Sequence, residues 1–214
     1  MNSFEEKAQK YWDQRYQVEG QIWGQTVSRT AWIAIQLFGS AGVNRVLVPG
    51  SGYGRHTVLL ATSGFDVTGI EISSEAIKLA SEYDVRSRFF KGSALDMSFD
   101  EDQYNAVFCF NLLHLFLADD RVRLVRECAQ KVGPGGLMFF AAFSEKEADF
   151  GKGQEIENNT FESRPGRPAH YFTEDDLKSL FADYETLEMG LMEDPEDHGG
   201  KPHTHVLRYI CVRV

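Results

Sequence analysis

The sequence predicts a doubly wound α/β fold: a mostly parallel seven-stranded sheet with helices on both faces, closed by an antiparallel C-terminal strand. Three observations predict it. Short apolar runs alternate with stretches of helical periodicity, the pattern of a parallel sheet whose crossovers are helices. A glycine-rich turn joins the first apolar run to the helix after it. The last two strand-like runs follow one another with no helix between them, so they should pair antiparallel.

Taken in order, two helical stretches come first, about Phe4–Val18 and Thr26–Phe38. The buried-strand pattern then appears in Asn44–Val48 (NRVLV), Phe65–Ile70, Ser87–Lys91, Tyr104–Phe110 and Gly136–Phe143. Gly54–Ser63, Ser74–Tyr83 and Asp119–Val132 lie between them with apolar residues at helical spacing. Ser73 or Ser74 suits the N-cap of the second of these, and Gly133-Pro134-Gly135-Gly136 ends the third. A polar, glycine-containing segment, Ser144–His170, follows. Thr173 then opens a helix whose first turn holds Glu174, Asp175 and Asp176, where carboxylates meet the positive end of the helix dipole. Tyr184–Met192 and Thr204–Val214 are the closing strands, joined by a loop rich in proline, glycine and acid.

No linker or repeat divides the chain, and 214 residues suit one domain. Within 1–214 the reading is a helical arm (1–40), a ligand-binding core (44–143), and an acidic insertion with the C-terminal helix and strands (144–214). The formal charge of −10 disfavours a nucleic-acid backbone as partner, which would call for a basic face. Between Glu145 and Gly200 sixteen acidic residues stand against five basic ones, so the acidity belongs to one region. It reads as a solvated surface, with a lid over a site as the alternative. No apolar run has the length of a bilayer span, and the first residues lack a signal-peptide pattern; the expectation is a cytoplasmic protein without membrane association. Oligomeric state is not encoded. Cys109, Cys128 and Cys211 lie far apart in apolar contexts and are expected to be reduced and buried.

The strongest chemical signal is Val46-Leu-Val-Pro-Gly50-Ser-Gly52-Tyr-Gly54-Arg-His56, a strand, a glycine turn and a helix start. Glycine there accepts positive φ and lets a ligand approach the backbone. Glu71 follows at the tip of the second strand, where a carboxylate can accept hydrogen bonds from both ribose hydroxyls of an adenosine. A dinucleotide site would read G-x-G-x-x-G. Here the spacing is G-x-G-x-G with Arg55 in the place of the last glycine, which favours a ligand without a pyrophosphate.

These residues carry a resemblance. The run VLVPGSGYGRHTVLLATSGFDVTGIEIS is similar to the first two motifs of class I S-adenosylmethionine-dependent methyltransferases, which are Rossmann-like. Gly92–Asp96, Tyr104–Asn111 and GPGGLMFFAAF resemble the motifs that follow. The resemblance implies S-adenosylmethionine as cofactor and a small-molecule methyl acceptor. It implies Gly50, Ser51, Gly52 and Gly54 near the methionine part, Glu71 on the ribose with Ile72 beside it, Ser93, Ala94 and Leu95 by the adenine, and Phe110 and Asn111 beneath the sulfonium. Two positions depart from the family: Pro49 stands where an acid is common, and Ser93 where an Asp commonly meets the adenine, a contact that Asp96 could supply instead.

The lead-in, Tyr11–Tyr16, Ile22-Trp23-Gly24 and Ser28-Arg29, resembles small methyltransferases of the tellurite-resistance and thiol- or thiopurine-methylating type, as does His203–Tyr209. That implies an arm folding over the cofactor with Trp23 near it, and a soft acceptor such as a thiol or a chalcogen oxyanion. For such an acceptor, alignment alone can supply most of the rate. The alternatives are a non-catalytic S-adenosylmethionine-binding module and a nicotinamide oxidoreductase.

His205 and Arg208 are the candidate catalytic pair, although three positions along a regular strand put them on opposite faces. His203 and His205 share a face. With Asp194, Glu196, Asp197 and His198 near them a metal site is conceivable, but the spacing is not that of known zinc sites, and no metal is expected. His114 reads as packing or capping, and His56 as a surface residue.

Overall fold

A computed structural model describes residues 3–164, 166–197 and 202–214; His198 lies outside the described residues. Two helices, α1 (Ser3–Glu19) and α2 (Arg29–Ser40), precede β1 (Arg45–Pro49). Then come α3 (Arg55–Thr62), β2 (Asp66–Glu71), α4 (Ser74–Tyr83), β3 (Arg88–Lys91) and β4 (Ala106–Phe110). A 3₁₀ turn at Leu113–Leu115, α5 (Ala118–Val132) and β5 (Leu137–Phe143) complete the alternating part. After β6 (Gln154–Glu157), β7 (Thr160–Arg164) and β8 (Arg167–His170), α6 (Glu174–Leu180) leads into the ribbon of β9 (Glu185–Asp197) and β10 (Pro202–Arg213).

The main sheet has the order β3-β2-β1-β4-β5-β10-β9. Its first five strands are parallel, and β10 runs antiparallel to both β5 and β9. The strand order reverses between β1 and β4, which places a crevice at their carboxyl ends, where open α/β sheets bind ligands. Local chemistry sets the helix starts. Ser28 caps α2 through the Thr30 N–H, Ser73 caps α4 through the Ala76 N–H, and Thr173 forms a capping box with Asp176.

The sheet separates two apolar layers. One packs Leu47, Ile70, Val107, Cys109 and Phe140 against Leu124, Val125 and Cys128 of α5. The other packs Val46, Val48, Phe108 and Phe139 against Ala31, Ala34 and Phe38 of α2 and Leu60 of α3. The three cysteines are free and buried, and burial pushes each thiol upward, out of range of the reactive thiolate. Among the described residues no helix is long and apolar enough to cross a membrane.

The polar segment Ser144–His170 folds into a second, antiparallel sheet, β6-β7-β8, which the sequence did not mark. Its strands are four or five residues long and carry almost no buried positions, so they lack the alternation that marks a strand in sequence.

Candidate functional site

The turn after β1 takes the left-handed backbone that its glycines permit, with φ of 65° at Gly50, 56° at Gly52 and 88° at Gly54. This brings the Gly52 N–H to Glu71 Oε2 at 2.9 Å, while the Ser73 N–H reaches Oε1 at 2.9 Å. Glu71 is buried; desolvation pushes its pKa up, opposed by these N–H donors. Each carboxylate oxygen accepts one backbone hydrogen bond and retains capacity for another, so the carboxylate is fixed in place without being used up.

Beside it opens a cavity of about 350 Å³ lined by Ile72, Gly92, Ser93 and Phe99, with Lys91, Asp96 and, from α1, Glu5. Ser93 Oγ accepts from the Leu95 N–H at 3.2 Å, and Ala94 and Leu95 are buried. The Asp96 carboxylate is held by the Ser98 hydroxyl (2.7 Å) and N–H (3.2 Å), and these hydrogen bonds lower its pKa. At the end of β4, Phe110 lies 4.4 Å from the His56 ring. Asn111 adopts φ 49°, a backbone rarely taken by residues other than glycine, and donates its N–H to Ala141 O at 2.8 Å. Asn111 Oδ1 and Ser51 Oγ are buried without a protein partner. They follow β1 and β4, the strands between which the sheet order reverses, and orphans of this kind are groups that a polar ligand would satisfy.

The N-terminal arm packs against this turn and the start of α4. Asp13 of α1 accepts from the Ser73 hydroxyl at 2.7 Å and the Glu75 N–H at 3.3 Å, tying the arm to the start of α4. Desolvation would raise the Asp13 carboxyl, but the hydrogen bonds from Ser73 and Glu75 prevail and lower it. Trp23 stacks on Tyr53 (6.2 Å, 18°) and lies under the Arg15 guanidinium, while Tyr16 is buried against Gly52. Arg55 donates to the carbonyls of Trp23 and Thr26 and pairs with Glu196 at 2.8 Å, both side chains buried. The arm is thereby joined to the glycine turn and to β9. Asp13 was missed in sequence, where an acid on a polar helix has no distinguishing signal.

At the other side of the crevice, beyond the end of β5, His205 Nδ1 lies 2.9 Å from Glu147 Oε1 and Nε2 lies 3.6 Å from Glu196. The ring stacks on Phe143 at 5.0 Å. Burial pulls its pKa down, but the Glu147 hydrogen bond, with Glu147, Glu196 and Asp194 as charges, raises it overall. Arg208 is not brought to His205. It makes a two-pronged pair with Glu145 (2.8 and 2.6 Å) and donates to the Phe172 carbonyl.

His114 is buried and stacks on Phe143 at 3.9 Å, where burial pushes its pKa down to about 3. His56 is not a surface residue: it is 7% exposed and Nε2 accepts the Ser28 N–H at 3.2 Å. The contacts that bury it come from α2 and β4, which local sequence does not reveal.

Residues 47–140 match the model of the methyltransferase domain family. The chain is 28% identical over 155 residues to the ubiquinone biosynthesis O-methyltransferase of Bordetella avium, covering 70% of this chain and 63% of that protein. It therefore spans less than two thirds of that relative's length. Among solved structures, an S-adenosylmethionine-dependent methyltransferase from Anabaena variabilis superposes over 100% of this chain and 96% of its own, with a TM-score of 0.77 at 16% identity. TehB from Haemophilus influenzae covers 94% of this chain and 66% of its own, with a TM-score of 0.66. Its 15% identity makes the narrower resemblance of the lead-in a weak one. The family match and the superpositions agree with the strand order of the sheet: the chain has the fold of the class I S-adenosylmethionine-dependent methyltransferases.

Proposed function

We propose that this protein transfers the methyl group of S-adenosylmethionine to a small molecule. The observation that carries the reading is Glu71, a buried carboxylate clamped by the Gly52 and Ser73 N–H groups at the tip of β2, beside a cavity lined by Ile72 and Ser93. The residues fit the cofactor: Glu71 for the ribose diol, Ile72 and Ser93–Leu95 for the adenine, and the unpartnered Ser51 Oγ and Asn111 Oδ1 for polar groups of the methionine part. When bound, the cofactor supplies an activated methyl group, and the chain's own task is to orient the acceptor and exclude water.

The lead-in resemblance supports a thiol or chalcogen oxyanion as acceptor. A second reading, a hydroxyl, is favoured by the pairing of His205 with Glu147, a carboxylate-oriented imidazole able to take up a proton. In that reading Arg208 positions the neighbouring segment through Glu145.

The test is transfer of a radiolabelled methyl group across thiols, chalcogen oxyanions, phenols and amines, with S-adenosylhomocysteine binding measured in parallel. Glu71→Ala should weaken that binding by about 1.5–3 kcal/mol, the worth of a charge-assisted pair. Binding that is unchanged in the folded variant would refute the ribose assignment. Binding without turnover on any acceptor would leave a binding module.

A further inference from the structure

The β9–β10 ribbon sets two residue pairs on one face: His205 directly opposite Asp194, and His203 opposite Glu196. Sequence already places the two histidines on one side of a strand. The fold adds Glu147, delivered from the segment after β5, whose carboxylate oxygen lies with a ring nitrogen of each histidine within a span of 4.8 Å. Tetrahedral ligands about 2.1 Å from an ion stand about 3.4 Å from one another, so side-chain rotations alone can close this group around one.

The surroundings suit a cation. Glu147, Asp194 and Glu196 are all buried, and Asp194 Oδ2 has no hydrogen-bond partner. Arg55 pairs with Glu196, and Arg29 gives its backbone N–H to Asp194 Oδ1 and its guanidinium to the Glu193 carbonyl.

From this geometry we propose that Glu147, His203 and His205 form a binding site for a divalent transition-metal ion. Two imidazoles and one carboxylate select a borderline ion such as zinc, cobalt or nickel over magnesium, which takes all-oxygen shells. Three protein ligands leave coordination open to solvent or a small molecule. The site is built from residues outside the glycine turn and the Glu71 pocket, and it stands whether or not the chain transfers methyl groups.

The experiment uses the full chain, stripped with a chelator and dialysed, then titrated with Zn²⁺ in competition with a chromophoric chelator. Co²⁺ is added separately and followed by its visible d–d absorption. One equivalent of Zn²⁺ is expected, with a Co²⁺ spectrum of low coordination number. His203→Ala and Glu147→Gln should each cut Zn²⁺ affinity at least about tenfold, and the His203→Ala/His205→Ala pair should abolish the Co²⁺ spectrum. Mg²⁺ should not displace either ion. His203 is half-buried, so its single variant keeps the test valid if removal of the buried His205 unfolds the chain; thermal melting and S-adenosylhomocysteine binding report the fold. No stoichiometric binding in the competition assay, or wild-type affinity in the folded His203→Ala variant, would overturn the site.

Discussion

At the scale of single residues, the site depends on where backbone N–H groups point. Gly52 illustrates this. Its φ of 56° aims its N–H at Glu71, and a Cβ built there would stand 3.0 Å from the Tyr16 hydroxyl. A branched side chain would meet both penalties, the left-handed backbone at about 1–3 kcal/mol and the crowding against a buried ring. Gly52→Val should therefore lose S-adenosylhomocysteine binding by at least about tenfold, while circular dichroism shows the sheet retained. Normal calorimetric affinity in this variant would reduce the turn to a connector. Asn111 shows the converse: a residue other than glycine is held at φ 49° at the end of β4, with an orphaned side-chain oxygen, and strain of this kind concentrates at ligand sites.

At the scale of elements, α1 matters as much as the strands. It is anchored through Asp13 to the first turn of α4, and the same Ser73 that donates its hydroxyl to Asp13 gives its N–H to Glu71. The arm and the Glu71 carboxylate thus share one helix terminus. Asp13→Ala should weaken S-adenosylhomocysteine severalfold and raise proteolytic cleavage within α1. Bound S-adenosylhomocysteine should protect the arm of the wild-type chain, because ligand and arm stabilise the same turn. The two readouts are limited proteolysis with and without the ligand, and turnover after deletion of residues 1–24. Equal cleavage in both states, with full activity in the truncated chain, would make the arm packing only.

At the scale of the whole molecule, buried imidazoles contribute to the acid response, and His56 joins His114 and His170 in being held below the ordinary imidazole range by burial. Burial, with smaller contributions from neighbouring charges, lowers His114 to about 3 and His170 to about 4, against 6.5 when exposed. Above pH 6.5 both are neutral in the folded and unfolded chain and add no pH dependence. Below it the unfolded chain takes up protons that the folded one refuses. Stability then falls with pH by up to about 1.4 kcal/mol per unit per histidine, down to the folded values. His205 works in the opposite sense: its raised pKa stabilises the fold below its unfolded value, and that gain is lost as pH rises through the folded one. Melting temperature should therefore drop steeply between pH 6.5 and pH 4.5, and His114→Gln should flatten that drop. An equal slope in the variant would show that His114 is not buried in its neutral form.

Much of this protein was legible in its sequence. The alternation of apolar runs and helical periods, with closing strands that no helix separates, determined the layered sheet and its antiparallel edge, because period and connection length are local properties. Gly50, Gly52, Gly54 and Glu71 were legible because a turn that needs positive φ and a carboxylate one strand later are also written locally. The sheet of β6, β7 and β8 was not, since its short, exposed strands bury too little to leave a period. Nor was the burial of His56, the anchoring of Asp13, or the meeting of Glu147 with His203 and His205. Each depends on segments far apart in the chain: α2 and β4 close over His56, α1 packs on α4 at Asp13, and the register of β10 between β5 and β9 sets the histidines beside Glu147.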